Sequence, residues 1–424
     1  MSLRDCVSPT LGIIGKPVEL LRDADDPPFY LYSAATGDLK GILGCDDRLF
    51  GAGAGATQSE AMTACIGEAL ERYANLTGCE TETRFCTWRE LGEPTPHPSR
   101  YALFSADQYA AGIGMVPFEE TSKVEWIRAT DLLTGEGSWV PAQLTQLLHE
   151  YREGEERIGY STSSGSGLGA SPQQAILTGL FEGIERDATM RAWLLRLRPP
   201  IRRNLTVADL GLPNDWDFFL SEPQCVLWDL SALVGIPTAM AAIRGVWPVT
   251  PTLAFGSASA PTFQIAARKA AIEAYHTRAW AKSLIANRNA CEPDEALINF
   301  EDHVYLYAHP AAAAACDFLF HQGPGEFVAE NTDFVARSQE GILAEALRRL
   351  ASRGIGCLSV DITTVDLRQS GLTAAHTLCP ELCRLSVGLM PKFLGSGLLG
   401  EFGRSGRGGP DCETPLNLAP HPFP

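Results

Sequence analysis

The sequence predicts an α/β protein. Short β-prone runs such as Phe29-Tyr-Leu-Tyr32 and Thr238-Ala-Met-Ala-Ala-Ile-Arg244 alternate with amphipathic stretches long enough for helices. Three of those helical stretches are entered from a glycine-marked segment. A chain of 424 residues could hold two or three average domains, but one continuous architecture of this length is common among large α/β proteins and is the reading adopted. Residues 1–48 are an extended lead-in, 49–400 the main body and 401–424 a Gly/Pro-rich tail.

The lead-in carries Pro9, Pro17, Pro27 and Pro28 between short β-prone stretches and is expected to wrap the core. Gly51-Ala-Gly-Ala-Gly-Ala56 reads as a glycine loop. Thr57 and Glu60 after it have capping-box spacing, which predicts a helix start. That helix holds Glu68, Glu71 and Arg72. Between 87 and 160, Val124-Glu-Trp-Ile-Arg128 and Gly137-Ser-Trp-Val-Pro141 suggest strands. A second Gly/Ser loop, 161–170, feeds a helix from about 172 to 195 that carries Glu182, Glu185 and Arg186. Strands are expected at 225–230 and 238–244, and a third glycine-marked entry, Phe255-Gly-Ser-Ala-Ser259, leads into a helix with Arg268, Lys269, Glu273 and Arg278, basic where the other two are acidic. A helix at 341–353, a strand at 357–365 and a second strand at 382–388 complete the body.

Composition excludes several functions. A net charge of -17 argues against nucleic acid and anionic membranes, because phosphate backbones are held by clustered Lys and Arg. An anionic small substrate would need a metal to reach such a surface. The twelve cysteines include no C-x-x-C pair, which is neither a zinc-ribbon spacing nor a compact disulfide framework. The opening Met-Ser-Leu-Arg-Asp-Cys lacks a secretory signal, so a cytoplasmic setting with free thiols is expected.

The doubled Glu-x-x-Glu-Arg is the strongest chemical signal. Positions i, i+3 and i+4 share one helix face, so each copy aims two carboxylates and a guanidinium in one direction. Exposed ion pairs would explain such a motif. Here Ala61, Ala64, Cys65, Ala69 and Leu70 flank one copy and Ala175, Leu177, Leu180 and Ile184 the other, so the charges sit on helices made for burial, where a metal or hydrogen bonds must compensate them. Four convergent carboxylates suit Mg2+. The shared layout suggests two analogous halves meeting at one site. Gly395-Ser-Gly-Leu-Leu-Gly400 matches a dinucleotide fingerprint literally but has no room after it for the required βαβ unit. Ser166 lacks the G-x-S-x-G elbow of a serine hydrolase.

Read together, residues 53–72, 162–187, Lys269-Ala-Ala-Ile-Glu-Ala-Tyr-His-Thr-Arg278, Asp361-Ile-Thr-Thr-Val-Asp366, Ser386-Val-Gly-Leu-Met-Pro391 and the closing Pro420-x-Pro-x-Pro424 resemble the YcaO family over nearly the whole chain. The resemblance implies mixed sheets flanked by helices in one catalytic domain, and a peptide cyclodehydratase that uses ATP to phosphorylate an amide oxygen so that a Cys, Ser or Thr side chain closes an azoline. It implies that Glu68, Glu71, Glu182 and Glu185 hold Mg2+, that Arg72, Arg186, Gln174, Glu273 and Arg278 contact the nucleotide, and that Pro424 assists proton transfer from the tail. Implied partners are a precursor peptide, a separate E1-like leader-binding protein and a flavin-dependent azoline dehydrogenase, in a homo-oligomer or hetero-complex. The sequence departs from the family pattern at Ala64, Gly167, Gln174 and Thr178. Backbone thioamidation and a non-catalytic scaffold are the competing expectations.

Overall fold

The computed structural model describes residues 3–8, 12–37, 39, 49–77, 81–92, 94–202, 205–288, 290–291, 299–320, 331–399 and 415–423. Three sheets make up its β structure. The first runs β1 (Val18–Leu20), β2 (Tyr30–Ala35), β3 (Phe50–Gly55); the second is the six-stranded sheet β4 (Thr83–Thr87), β5 (Lys123–Asp131), β11 (Leu358–Asp361), β12 (Thr373–Leu378), β7 (Ser166–Gly169), with β6 (Gly137–Pro141) branching from β5. The third has the order β10 (Leu253–Ser259), β9 (Thr238–Arg244), β8 (Cys225–Asp229). All pairings between these strands are antiparallel. The lead-in therefore supplies two strands of the first sheet.

Each sheet has an edge strand that is followed by one long helix. Helix α1 (Gln58–Thr77) follows β3, α2 (Pro172–Leu194) follows β7 and α3 (Phe263–Asn287) follows β10. Each packs on the strand that precedes it. Shorter helices α4 (Phe300–Ala308) and α5 (Gln339–Ala351) pack against α3 and α2 respectively. Apolar side chains fill the space between layers in three clusters. One surrounds α2 with Trp193, Trp228 and Phe255, one lies between α1 and the six-stranded sheet with Trp126 and Val360, and one lies under α3 with Trp216 and Tyr275.

Of the two segments expected as glycine loops, the first is a strand and the second is one in part: 50–55 belongs to β3 and 166–169 is β7, while the third glycine-marked entry lies in β10, 253–259. Close approach of helix to strand is the reason for the glycines. A Cβ on Gly53 would lie 2.2 Å from Cys65 N and 2.3 Å from Ala61 O, and one on Gly167 would lie 2.2 Å from Ala175 O. Those obstacles are backbone atoms, which cannot swing aside. Gly53→Ala is expected to lower stability by about 3 kcal/mol or more, read from the urea midpoint. An unchanged midpoint would mean that α1 is not clamped on β3.

Residues 382–388, expected as a strand, form no ladder. Their backbone is bonded to side chains instead: Cys383 N–H donates to Asp187, Gly388 N–H to His303, and the Ser386 carbonyl accepts from His421. The second strand of this region is β12, whose short Thr373-Ala-Ala-His-Thr-Leu378 run pairs with β11 and β7. The strand expected at 357–365 covers only Leu358–Asp361, and a short helix, Val365–Gln369, begins where it was expected to end; the other expected elements lie where the sequence put them, with the fifth helix beginning and ending two residues earlier.

Candidate functional site

β3, β7 and β10 are each at an edge of their sheet, and each leads through a hydroxyl cap into its helix. Thr57 accepts from Glu60 N–H, Ser171 from Gln174 N–H and Thr262 from Ile265 N–H. Eleven residues beyond each cap stands a glutamate, Glu68, Glu182 or Glu273. Each returns to its own strand segment: Glu68 accepts from Ala52 N–H at 2.7 Å, Glu182 from Gly165 N–H at 3.3 Å and Glu273 from Ser257 N–H at 3.2 Å. The helices then pack in a ring, α1 also on β7, α2 also on β10 and α3 also on β3. The protein is thus built on three strand–helix units rather than two halves.

One stripe of each helix faces the common centre, at i, i+4, i+8 and i+11: Glu60, Ala64, Glu68 and Glu71; Gln174, Thr178, Glu182 and Glu185; Ile265, Lys269, Glu273 and His276. The first two residues of every stripe are exposed, and the last two are partly or fully buried. The result is a funnel, open toward the helix N-termini and closed around Glu71, Glu185 and His276. Its open end carries the positive ends of three helices, a setting that favours phosphate.

Charge in the funnel is unbalanced. Arg186 lies 3.7 Å from Glu185 and 3.8 Å from Glu182, and Glu185 also accepts from Ser257 Oγ at 2.6 Å. Arg72 is more exposed and is paired with Glu68 at 2.6 Å. Burial pushes the carboxyl of Glu71 well above its ordinary value, and the charges of Glu182 and Glu68 add to it. Burial likewise carries Glu182 to about 7 and, with repulsion from Glu185, Glu273 to about 8. Glu185 is raised by burial, with Arg186 opposing. Burial works against the charge on Arg186, yet Glu185, Glu182 and Glu273 together hold its guanidinium above its ordinary value. Five carboxylates face Arg186, Arg72 and Lys269, so a divalent cation would balance the set.

The donor set fits Mg2+, being all oxygen and hard. Among the described residues no three of the five glutamates have oxygens within 4.8 Å of one another. They would therefore hold an ion one or two at a time, leaving room for the phosphate oxygens and waters that complete a Mg2+ shell. Among the described residues the one tight acidic triplet, Asp23, Asp25 and Asp26, is a different feature, because Arg278 and Lys282 on α3 are paired with it. It clasps the lead-in to α3.

Melting behaviour should report the excess of carboxylates. A raised carboxyl holds its proton more tightly folded than unfolded, so its contribution is complete below 4.5 and lost as pH rises through about 7 for Glu182 and about 8 for Glu273. His276 and His421, depressed by burial to about 4 and about 3, change in the opposite sense but have finished by their unfolded value of 6.5. In divalent-free buffer the melting temperature is expected to fall between pH 6.5 and about 8, and Mg2+ to raise it most at the upper end. A flat profile insensitive to Mg2+ would contradict the charge excess.

Of the residues expected at the site, Glu68, Glu71, Glu182, Glu185, Glu273 and Arg186 come together, with Arg72 at the rim. Gln174 lies at the exposed end of its stripe, where its carbonyl accepts from Ala170 N–H. Arg278 is buried, its guanidinium turned to Asp25 and Asp26. Pro424 lies outside the described residues, but 415–423 are docked: Asn417 N–H donates to the Leu194 carbonyl, and the Trp193 and Tyr307 side chains donate to the carbonyls of Ala419 and Pro420. Phe423 is fully buried against Trp193 and Phe255, and His421 feels the charge of Arg186. Lys269 was noted without a role and stands on the third stripe. The equal cap-to-glutamate spacing was the available signal for the third unit, obscured because His276 and Thr277 replace the second Glu and the Arg.

The model of the family described as YcaO cyclodehydratase, ATP- and Mg2+-binding, matches residues 52–383. An uncharacterized protein of Methanothermobacter thermautotrophicus is 30% identical over 199 residues, covering 45% of this chain and 46% of that protein. Among solved structures, a heterocyclase in complex with substrate and cofactor is similar with TM-score 0.73 and 21% identity, over 99% of this chain and 56% of that one. YcaO from Methanopyrus kandleri, bound with AMPPCP and Mg2+, has TM-score 0.61 and 17% identity, over 89% and 90% of the two chains. The chain spans about half the length of the curated relative and of the heterocyclase.

Proposed function

Because the chain belongs to the YcaO family, we propose that it is an ATP- and Mg2+-dependent cyclodehydratase subunit. It activates backbone amides of a ribosomally made precursor peptide by O-phosphorylation, and Cys, Ser or Thr side chains then close azolines. The observation that carries this reading is the funnel, in which three helices bring five glutamates around Arg186 and Arg72 beneath three helix N-termini. Phosphoryl transfer depends chiefly on positioning and on neutralising oxygens, and these residue types supply both.

In this proposal Glu68, Glu71, Glu182 and Glu185 hold Mg2+, and Arg186, Arg72 and Lys269 orient phosphate oxygens. Glu273 and Gln174 complete the wall, and Arg278 supports it through the lead-in. When bound, ATP would supply the phosphoryl group that activates the amide, and Mg2+ would neutralise its oxygens. The docked tail excludes water from the closed end, and the C-terminal carboxylate of Pro424 is the proton acceptor in this proposal. A precursor peptide, an E1-like leader-binding protein and a flavin-dependent dehydrogenase are the partners proposed, within a body of 49–400 flanked by lead-in and tail.

Incubation with ATP, Mg2+, an E1-like partner and its peptide should produce species lighter by one water per ring in mass spectra. Exchange of oxygen for sulfur when a sulfide donor is present would favour the thioamide reading. Absence of ATP turnover with partner and peptide both present would favour a scaffold.

A further inference from the structure

A separate cleft shares Arg186 with the funnel but none of its glutamates. It is a small, partly open cleft between Gly179, Gly183 and Arg186 of α2, the hydroxyl residues Thr162 and Ser164, and Arg384. Arg384 is the unusual member. Its Nη1–H donates to the Leu144 carbonyl at 3.4 Å, and its guanidinium lies 5.8 Å from the centre of the Phe393 ring. Burial lowers its pKa to about 10, and the groups that oppose this are Tyr101, Tyr160 and Cys379, all neutral at ordinary pH. Three other arginines have carboxylates: Arg191 has Asp187, Arg202 has Asp229, and Arg278 has Asp25 and Asp26. Among the described residues Arg384 has none.

A cation held out of water without a counter-ion is costly, and an anion entering the cleft would relieve that cost. Gly183 makes room for one. A Cβ on Gly183 would meet nothing within 4 Å, so the helix leaves open space there. Two guanidiniums and two hydroxyls around one cleft match an oxyanion better than any neutral ligand.

We propose that this cleft is a phosphate site, with Arg384 and Arg186 as its cations and Thr162 and Ser164 as hydroxyl donors. The identity of the oxyanion rests on the proposed function, because Arg186 joins the cleft to the site where ATP would bind. The phosphate is either the nucleotide's terminal group or free inorganic phosphate.

The test is calorimetry on the full chain with two probes, inorganic phosphate alone and AMPPCP with Mg2+, using Arg384→Met and Gly183→Leu. Both variants should weaken inorganic phosphate by about tenfold or more, one by removing the cation and the other by filling the cleft without touching it. Arg384→Met should melt no lower than wild type, since it removes an uncompensated charge, whereas a purely structural arginine would leave a less stable protein. AMPPCP affinity unchanged in both variants identifies free phosphate as the occupant, and a parallel loss identifies the nucleotide's terminal phosphate. Inorganic phosphate binding that is absent from wild type, or equal in all three proteins, overturns the proposal. Failure of wild type to bind AMPPCP would sink the proposed function, while the inorganic phosphate comparison would still decide this one.

Discussion

Glu182→Gln is expected to lower ATP turnover by about 100-fold or more while leaving the protein at least as heat-stable as wild type in divalent-free buffer at pH 8. The two effects have one cause. Glu182 stands in the middle of the second stripe, beside Glu185 and Glu68, and burial with those neighbours raises its carboxyl to about 7. Above that pH its charge opposes folding, so a neutral side chain of the same shape relieves strain. Its bond to Gly165 N–H survives as an amide carbonyl acceptor. In the presence of Mg2+ and nucleotide the same charge would become useful, and its loss removes an oxygen ligand. A drop in melting temperature with turnover preserved would make Glu182 a structural residue.

Phe423→Ala is expected to cost about 3–5 kcal/mol, measured by urea unfolding, and to impair catalysis more than nucleotide binding. Its ring is fully buried, 6.0 Å from the centre of Phe255 and 6.4 Å from that of Trp193. Phe255 lies two residues before Ser257, which bonds Glu185, so the tail packs on the strand that shapes the closed end of the funnel. His421 reinforces the docking by donating Nε2–H to the Ser386 carbonyl while its own carbonyl accepts from His303. Deleting Pro424 alone keeps this anchor and separates the two effects: stability should hold while ring formation falls. Full ring formation without Pro424 would remove it from the proposal.

Much of the site was legible because the helical period is local. The spacing of Glu68, Glu71, Glu182 and Glu185 fixes their faces once the caps at Thr57 and Ser171 are recognised. What was hidden depends on contacts between distant segments. Glycine disfavours strands on its own, so Gly51 to Gly55 reads as a loop; only the approach of Ala61 and Cys65 to within Cβ distance explains why glycine is required there. The alternating apolar residues of 382–388 imitate a strand, but Asp187, His303 and His421 take up the backbone groups a ladder would use. Arg278 closes the Lys269–Arg278 block that resembles the family's and so invites a place at the site, yet the buried Asp26 of the lead-in draws it away. The departures at Gln174 and Thr178 fall at the exposed end of their stripe, above an intact set of glutamates.

The most direct measurement is calorimetric titration of the full chain with AMPPCP, with and without Mg2+, for wild type, Glu71→Gln and Glu185→Gln. The funnel account predicts binding that requires Mg2+, releases protons at pH 7 as raised carboxyls ionise, and weakens by about tenfold or more in each variant. Binding that ignores Mg2+ and both substitutions would contradict it.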